Sequence, residues 1–174
     1  MMKCEKSVDS FKFLPRLIAA YYQGLQLPSR GAIPWTPIPA AVEECRFALV
    51  TSGGVYHREL QMPFDLARER EEPTWGDPSY RELPVNMRQE QVAVSHLHIN
   101  PRDVLEDVNV LLPIQHFREL AEQGRIGGLA ETAYSFMGYQ GAPPNTSEWE
   151  HTYGPEVAEK MKAEGVDCVL LTPA

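Results

Sequence analysis

The sequence predicts an α/β domain with a mostly parallel sheet, and three observations carry that expectation. Short apolar, β-branched runs alternate with helical stretches through the C-terminal half, in the order strand, helix, strand, helix, strand. Both helical stretches open on a proline and stop at a glycine, Pro113 with Gly124 and Pro155 with Gly165. The strand-like runs end in small or polar residues at Thr51–Gly54, Ser95–His98, Glu131–Gly138 and Thr172–Ala174. Strand–helix–strand crossovers are right-handed, so those carboxyl ends should gather along one edge, where such sheets bind ligands.

Residues 1–40 read as an N-terminal arm. Phe11, Leu14, Ile18, Tyr21 and Leu25 recur at helical spacing, and Pro15 fits a first helical turn. Four prolines between Pro28 and Pro39 impose extended geometry, a strap laid on the domain. Residues 41–174 read as the α/β domain. Its first strand is Arg46–Thr51, closed by the tight turn Ser52-Gly53-Gly54. Residues 57–84 carry four prolines and read as an irregular insertion. Gln91–Ile99 is the second strand, Pro101–Asp107 a polar connection, Pro113–Gln123 the clearest helix and Ile126–Ala130 the third strand. Tyr134–Gly141 is a glycine- and aromatic-rich loop, Pro155–Glu164 the second helix and Val166–Leu171 the last strand. The sum is a Rossmann-like or flavodoxin-like fold with helices on the faces of its sheet. It is incomplete at its C-terminal edge, because no covering helix follows the last strand.

Composition narrows the function classes. The 174 residues carry 16 Lys and Arg against 24 Asp and Glu, a net charge of -8. Phosphate backbones demand clustered cations, so no nucleic-acid partner is expected. No run approaches the ~18 apolar residues of a membrane span. Phe11–Tyr22 is cut by Lys12, Pro15 and Arg16 and lacks a signal-cleavage pattern, so a soluble, cytoplasmic protein is expected. Cys4, Cys45 and Cys168 form neither a disulfide framework nor a CxxC pair. Cys168 reads as a small buried hydrophobe.

Ser95-His96-Leu97-His98 places two histidines two apart, on one face if the segment is a strand. Three readings stay open: a polar pocket lined by Ser95 and His96, a structural histidine, and an HxH chelate, which would need a third ligand such as Asp103, Glu106 or His116. No metal is assigned. Ser52-Gly53-Gly54 reads first as a tight turn and second as a backbone approach to an anion. Neither GxGxxG nor GxxxxGK[ST] supports a nucleotide, and no GxSxG supports a serine hydrolase. Tyr134-Ser-Phe-Met-Gly138 reads equally as a ligand wall and as core packing. The expected cleft joins Ser52, Gly53, Ser95, His98, Tyr134 and Thr172 as substrate-binding residues. His96 is the candidate catalytic group, a proton donor to a leaving amine.

A resemblance sharpens this. Val94–Asn100, Leu112-Pro-Ile with Arg118–Gly124, Ser135-Phe-Met-Gly138, and Gly154-Pro-Glu with Glu164–Pro173 resemble the selenoprotein B family of glycine, sarcosine, betaine and D-proline reductases. The similarity covers residues 34–174 and is strongest from residue 92. Pro63-Phe-Asp65 and Pro73–Tyr80 resemble shorter stand-alone members. The resemblance implies a reductase subunit with no cofactor in this chain. In the family the run after Gly165-Val-Asp167 leads to a selenocysteine, or in some members a cysteine, with a cysteine two residues later. That nucleophile attacks a substrate carbon activated by a partner's pyruvoyl group. The C–N bond breaks with its electron pair leaving on nitrogen, and a thiol reduces the adduct. Implied partners are an amine or amino-acid-like substrate, other reductase subunits and thiol reductants, and a homo-oligomer is allowed.

The family's nucleophile would come just after Ala174, and nothing within the 174 residues replaces it, since Cys168 lies mid-strand and too early. The expectation is a selenocysteine-codon truncation, with UGA or a cysteine codon following Ala174 and this form inactive alone. The alternatives are a non-catalytic subunit docking on a pyruvoyl- or thiol-bearing partner, and a metal enzyme using His96 and His98.

Overall fold

The computed structural model describes residues 10–24 and 36–174. The chain divides into two units, Met1–Thr36 and Pro37–Ala174. In the first, a 3-10 turn at Ser10–Phe13 precedes helix α1, Arg16–Gly24. Pro15 opens that helix, its carbonyl accepting from Ala19 N at 2.9 Å. Leu25 and the strap residues 28–35 lie outside the described residues.

The second unit is built on β1, Arg46–Thr51, an apolar run whose two faces both find a partner layer. After it come β2 at Val55–His57, α2 at Leu66–Glu71, β3 at Tyr80–Pro84 and β4 at Val92–Val94. Helices α3 at Arg102–Glu106 and α4 at Ile114–Glu122 lead to β5, Gly128–Leu129, and β6, Thr132–Phe136. A π-helical turn at Trp149–Tyr153 runs into α5, Gly154–Ala163, and β7 is Cys168–Thr172. In α5, Pro155 sits in the first turn, where its missing N–H costs no hydrogen bond. Gly124 and Gly165 end α4 and α5 with φ of 64° and 70°, the left-handed stop that glycine takes freely.

β1 is central. Along one edge it pairs in parallel first with β5 (Phe47 opposite Leu129) and then with β6 (Thr51 opposite Ser135). Along its other edge it pairs in parallel with β7, from Phe47 opposite Cys168 to Thr51 opposite Thr172. β3 closes the far side antiparallel to β6. The sheet is therefore mixed and mostly parallel, an α/β fold as expected. Leu49, Ala133, Leu83 and Leu170 point to one face and pack with Ile114 and Phe117 of α4. Ala48, Val50, Tyr134 and Phe136 point to the other and pack with Val157 and Met161 of α5. Alternate residues of one strand thus feed two cores, which is why the run is apolar throughout.

Four details differ from the sequence reading. The second strand is short, and it pairs antiparallel with β2 in a separate two-stranded sheet, not in the main one. Residues 57–84 hold α2 and β3: Pro84 is tolerated because it ends an edge strand. Residues 102–106 form a helical turn, since Arg102, Asp103 and Glu106 solvate its outer face. The strand expected at Ile126–Ala130 is reduced to β5, and a further strand, β6, runs through Phe136 into the segment read as a loop from Tyr134. Among the described residues, no helix is long and apolar enough to cross a membrane.

Candidate functional site

The carboxyl ends of β1, β6 and β7 meet in one region. Paired residues of neighbouring strands face the same side, so the register Thr172–Thr51–Ser135–Arg81 lays a polar row across the sheet. The row is knitted together. Thr51 Oγ1 donates to Thr172 O at 3.0 Å and accepts from Gly53 N at 3.1 Å, and Thr172 Oγ1 donates to Val50 O at 3.1 Å. Ser135 Oγ is fully buried and has no partner. Arg81 ends the row as a structural clamp: it donates to Met62 O and Pro63 O and lies over the Phe64 ring. Thr51, Ser135 and Arg81 are not among the cleft residues expected from the sequence, although Thr51 and Ser135 lie in segments it singles out. The signal was their common register at the strand ends, which needs the pairing to be known.

Past the row, the chain turns of β1 and β7 are tied together. Ser52 N donates to Thr172 O at 3.2 Å, and Ala174 N donates to Ser52 Oγ at 3.0 Å. Gly138 lies against this junction. A Cβ there would stand 2.8 Å from Ala174 O, 3.0 Å from Ser52 O and 3.3 Å from His96 Nε2. Four segments thus converge where only a glycine fits.

His96 is the buried side chain of that junction. Its Nδ1 accepts from His98 N at 3.1 Å, so the neutral ring carries its proton on Nε2. That Nε2 is enclosed and has no partner. Burial, and after it the neighbouring His98, holds the His96 pKa below the ordinary imidazole value. Protonation would also set a ring N–H against the His98 amide. The geometry describes a neutral donor looking for an acceptor, since an unpaired buried N–H costs about 1–3 kcal/mol.

The other expected residues divide. Ser52 and Thr172 line an apolar cavity of about 570 Å³ with Val50, Phe136, Trp149 and Leu171, at the N-terminal end of α5. Gly53 sits under Leu111, whose side chain fills the space a Cβ would need. Ser95 is buried, its amide bonded to Gly54 O at 2.8 Å. His98 turns from the junction: Nε2 meets Glu69 Oε1 at 3.0 Å and its ring stacks on Tyr139 at 4.5 Å. Tyr134 is not a cleft residue. Its position on β6 sends it into the α5-side core beside Tyr80, and burial pushes its hydroxyl up to about 12. Segment Ser95–His98 follows β4 and is not extended strand, so the two rings do not share a face; they cross at 89°. The two rings are therefore not presented side by side as a chelating pair. Among the described residues, no three His, Cys, Asp or Glu side chains come together as a metal cage.

A family profile, Glycine/sarcosine/betaine reductase selenoprotein B, matches residues 13–174. The chain belongs to this family. D-proline reductase subunit gamma of Acetoanaerobium sticklandii is 38% identical over 138 residues, 79% of this chain and 52% of that protein. Glycine reductase complex component B subunit gamma of Carboxydothermus hydrogenoformans is 26% identical over 148 residues, 85% of this chain and 32% of that protein. Its counterpart in Symbiobacterium thermophilum is 27% identical over 146 residues, with 84% and 32% covered. The chain therefore spans about half of one relative and about a third of the other two. No solved structure matches.

Proposed function

We propose that this chain is part of a reductase subunit that cleaves a C–N bond of a small amine or amino-acid-like substrate, with the reacting chalcogen following Ala174. The observation that carries this reading is the junction of Ser52, His96, Gly138 and Ala174. A thiolate or selenolate on the chain after Ala174 would meet a ready donor there, because the enclosed His96 Nε2–H has no acceptor and Gly138, lacking a Cβ, lets Ala174 lie close to it. The group at that position supplies nucleophilic attack on carbon, and a thiol reductant is consumed in regenerating it. Partners on this reading are other reductase subunits, one of them bearing the pyruvoyl group, and thiol reductants.

The chain's own residues then have definite tasks. Ser52 Oγ holds the Ala174 amide and so aims the backbone that follows. His96 donates from Nε2 and lowers the energy of negative charge beside it. As a neutral ring it serves the departing nitrogen as a hydrogen-bond donor, a narrower task than delivering a proton from imidazolium. The apolar cavity under Trp149, Phe136 and Leu171 receives the hydrocarbon part of the substrate and keeps water from it.

The test begins with the gene beyond the Ala174 codon. The chain is extended in its own frame, with cysteine in place of any selenocysteine, and the alkylation rate of that cysteine is followed against pH. The expected thiol titrates below the ~8.5 of free cysteine, and His96→Phe moves it upward. A downstream frame without cysteine or selenocysteine, or a thiol that titrates as free cysteine in both proteins, overturns the reading. A docking subunit without catalysis is the second reading. It is favoured by one observation, the outer edge of β7, where Val169 is 44% and Leu171 68% exposed.

A further inference from the structure

Two of the three cysteines, distant in sequence, come together at the opposite end of β1 from the junction. Cys45 immediately precedes β1, and Cys168 opens β7 opposite Phe47. Alternation puts Cys45 on the side of Phe47 and Leu49, and Cys168 on the side of Leu170. Those are one side of the sheet, since Leu49 and Leu170 share a core. The Cys45 thiol, which donates to Ala40 O at 3.7 Å, is the side chain that acts on the Cys168 thiol; Cys45 is buried and Cys168 partly exposed. Asp167 fixes the approach of the two strands: its carboxylate accepts from Arg46 N at 2.9 Å, and its amide donates to Arg46 O at 2.9 Å.

We propose that Cys45 and Cys168 are a reversible disulfide pair, formed by exchange with a low-molecular-weight disulfide of the glutathione class. The exposed partner reacts first. Cys168 loses its proton to solvent and attacks one sulfur of the disulfide, making a mixed disulfide and releasing one glutathione thiolate. Cys45 then gives up its proton and attacks the Cys168 sulfur, releasing the second thiolate. Two protein thiols are oxidised to one disulfide, and one glutathione disulfide is reduced to two thiols. Burial first, and the neighbouring Cys45 thiol second, pushes the Cys168 thiol up, so the exchange is slow at neutral pH and quickens as pH rises.

The pair is not the reductant of the junction. Cys168 and Thr172 stand at the two ends of β7, about 13 Å apart at strand rise, too far for a sulfur to reach. Its product is a covalent tether between the centre of the sheet and its edge strand. The inference stands on this pairing alone and not on the proposed reductase chemistry.

The test uses the full chain with Cys4→Ser, which leaves two of the three cysteines. The folded protein is incubated with glutathione disulfide at mildly alkaline pH, and thiols are counted and peptides mapped by mass. Titratable thiols should fall from two to none, with Cys45 and Cys168 in one cross-linked peptide and both restored by dithiothreitol. In the further variant Cys45→Ser, Cys168 should retain glutathione as a mixed disulfide. The oxidised form should unfold at a higher Tm than the reduced one. Two thiols persisting in the folded chain, or glutathione held separately on each cysteine without a cross-link, overturns the proposal. So does a cross-link that forms only after unfolding in urea.

Discussion

At the scale of residues, His96 is defined by what touches it and not by its neighbours in sequence. A His-x-His pattern suggested two equivalent rings, yet one amide separates their fates: the His98 N–H on Nδ1 fixes His96 as a donor through Nε2. His98 instead pairs with Glu69, whose side chain is 2% exposed and whose second oxygen has no partner. Nothing in the sequence joined Glu69 to this region, because that contact spans 29 positions. Burial leaves a measurable pH signature on His96. Its folded pKa is depressed, so between the folded and unfolded values the native state binds fewer protons and stability rises with pH. The contribution is whole above the ordinary value near ~6.5 and is lost as pH falls toward the folded one. His96→Phe should therefore flatten the part of the decline in Tm between about pH 8 and about pH 5 that wild type shows. Equal slopes in the two proteins would mean that His96 is not held neutral by the fold.

At the scale of elements, legibility followed the strength of the local period. α4 and α5 carry a proline start, an apolar face and a glycine stop, and each lies within a residue of its expected place. β1 is apolar on both faces because each side meets a core, whereas β7 sends Leu170 into one core and leaves Val169 and Leu171 exposed on its other face; both are legible as strands from their apolar runs. β3 was hidden by Pro78 and Pro84, and α2 by four charged residues among six. β6 was hidden by alternation of a different kind: Ala133 and Ser135 face one core, Tyr134 and Phe136 the other, and nearby glycines made the segment look like a loop. β7 also supports a prediction. Val169 and Leu171 expose apolar side chains along an edge with no neighbouring strand among the described residues. Replacing both, Val169→Lys with Leu171→Lys, should lower self-association in sedimentation velocity while changing unfolding free energy by less than about 1 kcal/mol. A loss of several kcal/mol would show that the edge is buried in the working protein.

At the scale of the whole molecule, both hydrophobic clusters, among the described residues, draw on the span from Ala48 to Leu170. Stability should reside there. A chain starting at Pro37 should fold cooperatively, with a Tm within a few degrees of the full protein, checked by circular dichroism; failure to fold would place core contacts in the first 36 residues. The sequence carried the order of strands and helices, and so the fold class. It did not carry strand neighbours, because adjacency in a sheet depends on distant partners. The junction at Ser52, His96, Gly138 and Ala174 is legible only after that adjacency is known. The tether pair shows the same limit, since spacing alone made each cysteine look solitary.

The central place of β1 has a kinetic side. Its partner β7 lies 121 positions away, counted from the Arg46 amide to the Asp167 carboxylate. A ribosome therefore releases β1 long before the strand that covers one of its edges exists. Loop closure across such a span is slow compared with local helix formation. Through most of its synthesis the nascent chain holds an open, apolar, hydrogen-bonding edge in its middle, and chaperone occupancy should be longest in the window that closes when Thr172 emerges.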